Sequence, residues 1–236
     1  MRLSEVNPTP LYPITIPSTK KKAKFRPFRV KEERALLAAQ ESEDLAVMLT
    51  TLKQVVENCI EPSSLVENMT SFDLEYLFTF IRSKSVGEFS ELVFRCDTCE
   101  DPDAKTKVQI DLRKVEVFTP EEHNNKIKLS DTITVLMKYP TMDELIEIQN
   151  CTEEDAKQKA ILSAMETIYV EDDVYHVAEE TESELKAFMD SLTSKQSKML
   201  EDFFDTMPVV RIAVKYTCPV CKAEHNKHVK GLNNFF

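Results

Sequence analysis

FSELVFRCDTCEDPDAKTKVQIDL, residues 89–112, and VVRIAVKYTCPVC, residues 209–221, decide how this chain is read. In the second stretch Val210, Ile212, Val214 and Tyr216 alternate with Arg211, Ala213 and Lys215, the period-two signature of a half-buried strand. In the first, strand character runs over Phe89 to Arg95 and again over Lys105 to Leu112. Each leading strand runs into a Cys-x-x-Cys turn, Cys96 with Cys99 and Cys218 with Cys221. Two thiolates from each turn complete a closed tetrahedral set, which leaves no position for water or substrate and marks a structural metal. The expectation is one Zn2+ held by Cys96, Cys99, Cys218 and Cys221, with iron on the same four thiolates left open.

Two other chemistries fit parts of this pattern. A redox Cys-x-x-Cys needs an exposed, low-pKa cysteine opening a helix, whereas Pro102 and Pro219 favour loops. A local site of Cys218, Cys221, His225 and His228 is chemically sound but leaves Cys96 and Cys99 unexplained.

Helical patterns surround the cysteine strands. Leu36, Leu37, Leu45, Met48, Leu49, Leu52, Val55, Val56 and Cys59 recur at three- and four-residue steps from Lys31 to Pro62, predicting one long amphipathic helix with Cys59 as a buried small hydrophobe. A second helix after Ser71 presents Leu74, Leu77, Phe78 and Ile81 and closes near Gly87. Val115 to Tyr139 alternates as short antiparallel strands, and Thr141 with Glu144 forms a capping box that opens a helix. Ala156, Ala160, Ile161, Ala164, Met165 and Ile168 supply the stripe of the next helix, and the acidic run from Glu171 to Glu184 reads as a solvated connection. Leu185, Phe188 and Met189, then Met199, Leu200, Phe203 and Phe204, mark two more helical pieces. The fold class expected is α+β: mainly helical lobes around a small antiparallel β zinc-ribbon-like module, with an extended N-terminal arm. The divisions are an arm over 1–30, a helical region over 31–87, the β module over 88–140 and 208–230, a helical insertion over 141–207 and a tail over 231–236.

Composition narrows the function. A chain of 236 residues buries a core without disulfides, and 42% hydrophobic with 30% charged residues describes an ordinary soluble protein. The opening MRLSEVNPTPLYPITIP has prolines where a signal peptide needs an apolar helix, so neither export nor a disulfide framework is expected, and no apolar run is long enough for a membrane span. Gly87 and Gly231 are the only glycines, which excludes glycine-rich phosphate loops and dinucleotide fingerprints. His123, His176, His225 and His228 form no hydrolase signature, and Asp172 with Asp173 reads as a solvated face, so no catalytic residue is assigned and no enzyme is expected. The net charge of −11 repels a phosphate backbone. Lys20, Lys21, Lys22, Lys24, Arg26, Arg29 and Lys31 are the exception, and they leave one alternative, a zinc-ribbon adaptor that binds nucleic acid through residues 20–31.

The arm carries Pro8, Pro10, Pro13, Pro17 and Pro27, which prevent helix, together with apolar residues worth burying. Either it packs on its own body or a partner covers it through Leu11, Tyr12, Ile14, Ile16, Phe25, Arg26 and Phe28.

From the arm into the first helix the chain reads PSTKKKAKFRPFRVKEERALL over residues 17–37. Pro17, Ser18, Lys20, the Phe25–Phe28 run, Val30, Lys31, Glu32, Glu33, Leu36 and Leu37 resemble the signature of the T4-like bacteriophage baseplate protein family. That resemblance implies a component of the tail baseplate hub or of its assembly, with other hub or tail assembly proteins as partners. It places the chain in the virion tail baseplate or in the host cytoplasm during assembly. It implies no cofactor beyond the metal and no catalytic residue.

Overall fold

The structure, a computed structural model, describes residues 9–99 and 101–231; the first eight residues of the expected arm and the tail beyond Gly231 lie outside them. The chain forms two compact units: residues up to Phe118 join those from Val209 in unit 1, and Thr119–Pro208 is unit 2. The architecture is α+β, with the strands of the described residues distributed over four small antiparallel sheets. No helix among the described residues is long and apolar enough to cross a membrane.

Unit 1 begins with a hairpin where an arm was expected. β1, Tyr12–Thr15, pairs with β2, Lys22–Phe25, and β2 pairs in turn with β3, Ile60–Glu61. Ile14, Ala23 and Phe25 face inward and Ile16 follows them, all buried, while Lys22 and Lys24 face out. The prolines do not prevent this, because β1 is an edge strand and Pro13 there owes no ladder amide.

The single long helix expected from Lys31 is two. α1, Val30–Glu41, stops, and α2, Leu45–Cys59, restarts. The cause is local: Asp44 accepts the amides of Ala46 at 2.9 Å and Val47 at 3.2 Å, and Glu43 before it has φ 54°. At the start of α1 the buried Glu32 accepts the Arg29 amide at 2.8 Å and an Arg26 guanidinium N–H at 3.0 Å. α3, Ser71–Ser85, buries Phe72, Leu74, Leu77, Phe78 and Ile81. Asp73, in its first turn and also buried, accepts the Ser18 amide at 2.9 Å, the Ser18 hydroxyl and the Thr70 hydroxyl at 2.8 Å, which fastens the β1–β2 turn to α3. β4, Phe89–Arg95, and β5, Lys105–Asp111, then make a two-stranded sheet, and β6, Glu116–Phe118, closes this part of the unit.

Unit 2 is a sheet with helices, where a purely helical insertion over 141–207 was expected. β7, Lys126–Lys128, and β8, Ile133–Met137, are followed by α4, Met142–Gln149, and α5, Glu153–Ala164; β9, Met165–Val170, and β10, Asp173–His176, complete a sheet of order β10–β9–β8–β7. Residues 126–137 thus pair within unit 2. The helix expected to carry Met165 and Ile168 ends at Ala164, where the β-favouring run Thr167-Ile-Tyr-Val170 takes over and turns back at Glu171, with φ 53°, into β10. Hence the acidic connection expected over 171–184 is partly strand. α6, Glu182–Ser191, and α7, Ser194–Asp205, each open on a capping box, Thr181 with Glu184 and Thr193 with Gln196, as does α4 on Thr141 with Glu144. Val135, Met137, Ile161, Ala164, Met165, Leu200 and Phe203 form the core. His123 packs against Tyr139 and Phe203 and bonds the Tyr139 hydroxyl at 2.9 Å.

The chain returns to unit 1 as β11, Val209–Thr217, which pairs with β6 on one side and β12, Glu224–Lys230, on the other. β4–β5 and β12–β11–β6 remain separate sheets, so the cysteine turns are not ends of one continuous ribbon.

Candidate metal centre

Both cysteine turns sit at hairpin ends. In the β4–β5 hairpin the Cys96 amide bonds the Ala104 carbonyl at 2.9 Å; in the β11–β12 hairpin the Cys218 amide bonds the Ala223 carbonyl at 2.9 Å. The second turn tightens further, because the Lys222 amide reaches the Cys218 carbonyl at 3.1 Å and Lys222 adopts φ 62°. Side chains hold the hairpins together. The Tyr216 hydroxyl donates to the Arg95 carbonyl at 3.2 Å, its ring stacks on Phe94 at 5.0 Å, and Lys227 pairs with Asp97 at 2.5 Å.

The result brings together all four cysteines singled out in the sequence. Their sulfurs lie within 4.8 Å of one another, with Cys96–Cys221 at 3.7 Å and Cys99–Cys218 at 3.8 Å. A tetrahedron of thiolates about 2.3 Å from a central zinc has edges of about 3.8 Å, so the spacing fits an ion of that size. The donor chemistry agrees. Burial raises the Cys96 thiol, but the Thr98 and Cys99 amides and His225 outweigh it and hold the group down at about 5. Cys99 is pushed up to about 12, by burial first and then by the crowding of the other three sulfurs. A divalent ion at the centre of such a set favours the thiolate form of its ligands. The four cysteines can therefore hold a metal ion.

His225 stands outside this set of four. Its Nε2 lies 3.2 Å from Cys96 Sγ and its ring stacks on Tyr216 at 4.8 Å. His228 is exposed on the other face of β12, because residues three apart on a strand point to opposite sides. The local Cys218, Cys221, His225, His228 alternative therefore fails. Cys59 is buried in unit 1, where burial pushes its thiol up to about 11.

The residues expected to meet a partner divide. Ile14, Ile16 and Phe25 are buried, and Arg26 is engaged by Glu32 and by the carbonyls of Pro27 and Asn58. Leu11 is exposed, and Tyr12 and Phe28 are half-buried. Phe28 lines a cleft with Leu36, Leu37, Phe78 and Val86, of which Leu37 and Val86 are exposed. Of the basic strip, Lys20, Lys21, Lys22, Lys24, Arg29 and Lys31 are exposed.

A family model described as T4 bacteriophage base plate protein matches residues 9–236. No curated protein and no solved structure matches the chain.

Proposed function

We propose that this chain, which belongs to the T4 bacteriophage base plate protein family, is a component of the central hub of the baseplate or of its assembly, acting by binding other tail proteins. The match over residues 9–236 carries this reading, since it takes in both units. In this reading the chain is a structural component of that family and not an enzyme, and it acts at the tail baseplate or in the cytoplasm in which tails are assembled.

In this reading a Zn2+ on Cys96, Cys99, Cys218 and Cys221 is structural. Coordination joins the ends of two hairpins that share no ladder hydrogen bonds, so metal binding contributes directly to folding of unit 1. The partner contact lies on the hairpin and the start of α1. Leu11, Tyr12 and Phe28 supply apolar surface, and Ile14, Ile16, Phe25 and Arg26 hold the hairpin that presents it.

The test is co-sedimentation of the tagged chain with tails and tail intermediates from infected cells, with Leu11→Asp and Phe28→Ser compared at equal folded content. Recovery of the native chain with hub proteins and reduced recovery of the variants supports the reading. A native chain absent from every tail intermediate overturns it. Recovery that is lost on nuclease treatment and falls steeply with salt supports instead the nucleic-acid alternative through residues 20–31.

A further inference from the structure

Unit 2 carries 21 of the 41 acidic residues but only 8 of the 30 basic ones, a formal charge of −13 in a chain of −11. The acid is densest over residues 171–190, with eight acidic side chains against the single base Lys186. That stretch folds as β10, the following turn and α6, and neither element buries a residue: all four positions of β10 are exposed, and α6 has no buried side chain. Yet α6 is amphipathic, with Leu185, Phe188 and Met189 on one side.

These elements border a cleft of about 280 Å³. It is lined by Ile168 and Val170 of β9, by Tyr175, still 41% exposed, on the neighbouring strand β10, and by Leu185 and Phe188 of α6. Glu180 and Glu184 stand at its rim. Glu184 is fixed there by the capping box, in which Thr181 donates its hydroxyl at 2.5 Å and its amide at 3.1 Å; these bonds hold the carboxyl below its ordinary range.

An apolar cleft whose charged lining is two carboxylates and no base selects its occupant by charge as well as by shape. We propose that this cleft is a second docking site, which takes a segment of another tail protein bearing one or two large apolar side chains flanked by lysine or arginine. The apolar group fills the space between Tyr175 and Phe188, and the basic flanks meet Glu180 and Glu184. This rests on the baseplate reading, but it concerns unit 2, whereas the hairpin surface belongs to unit 1.

The test places p-benzoylphenylalanine at position 175 of the full chain in infected cells, isolates tails by sedimentation and maps the photo-adduct by peptide sequencing. The expected adduct lies in a segment of another tail protein that has an apolar residue beside lysine or arginine. Glu180→Lys lowers its yield about tenfold or more, and exchanging the partner's basic residue for glutamate restores it. An adduct to a second copy, to this chain's own residues or to a segment without bases overturns the proposal, as does no adduct from a chain that still sediments with tails. Absence of the chain itself from all tail intermediates defeats the baseplate reading, and the proposal with it.

Discussion

The Nε2 of His225 stands 3.2 Å from the Sγ of Cys96, with the imidazole stacked on Tyr216, which is itself stacked on Phe94. The stack sets the plane of the ring, and an N–H donated to a thiolate stabilises the charged sulfur without occupying the metal. His225→Gln and His225→Phe are therefore expected to keep one metal per chain. The phenylalanine variant should lose it to a competing chelator about ten- to a hundredfold more readily, and glutamine, which keeps a donor, should lie between. Cobalt substitution adds a readout that simple destabilisation does not move, since the thiolate-to-cobalt absorption should shift in His225→Phe. Loss of stoichiometric metal from both variants would make His225 a ligand.

Cys96→Ser and Cys218→Ser should each abolish stoichiometric metal and lower the unfolding temperature, because each removes a donor from a different hairpin. His228→Ala should do neither. Elemental analysis and thermal unfolding decide this together; protein purified without chelator or oxidant that holds no metal would overturn the site.

Glu32 and Glu33 both lie in the first turn of α1, but their environments separate them. Burial raises the Glu32 carboxyl, and the Arg29 amide, the Arg26 guanidinium and Lys31 more than offset it, so the net shift is downward from 4.5. A carboxyl whose folded pKa is depressed stabilises fully above its unfolded value, and that contribution is lost as pH falls through the folded one. Glu32→Gln is expected to cost about 1.5–3 kcal/mol at neutral pH, with the gap to the native chain closing below about pH 4.5. Glu33→Gln, at an exposed position, should change stability by less than about 0.5 kcal/mol. Denaturant melts at pH 7 and pH 3.5 measure both.

The convergence of Cys96, Cys99, Cys218 and Cys221 was legible in the sequence because Cys-x-x-Cys spacing survives any intervening insertion, and each pair followed a recognisable strand. His225 was visible only as a nearby residue, since its role depends on β12 parity and on Tyr216 across the ladder. The missed strand β9 has a local cause. Ala160, Ile161 and Ala164 continue the helical spacing straight into Met165, and no glycine or proline marks the change. The break between α1 and α2 was readable in Asp44, whose cap competes with an otherwise unbroken apolar stripe. In the N-terminal segment proline density hid the alternation of Ile14 and Ile16 against Ala23 and Phe25, because proline forbids helix but not an edge strand.

The hairpin supplies the last test, and it reverses the outcome expected of a detachable arm. Deleting residues 1–16 would remove β1 and with it the buried Ile14 and Ile16, leaving β2 with an open edge and the core of unit 1 short of two side chains. Each buried isoleucine contributes on the order of 2–5 kcal/mol against truncation to alanine, so this deletion is expected to destabilise unit 1 severely. Ser18→Ala is the finer probe. It keeps the amide bond to Asp73 but removes the hydroxyl donor, and the Thr70 hydroxyl and the Ser18 amide remain to serve the carboxylate. Its cost should be about 1.5–3 kcal/mol, the range for a hydrogen bond to a charged group, with the fold retained. Asp73→Ala leaves all three donors without their acceptor and should cost more than Ser18→Ala. Chemical denaturation of the two variants and their double mutant measures the coupling directly. Additive effects would mean that the contact does not fasten the hairpin to α3, whereas a double mutant no worse than Asp73→Ala alone would mean that Ser18 acts through that carboxylate.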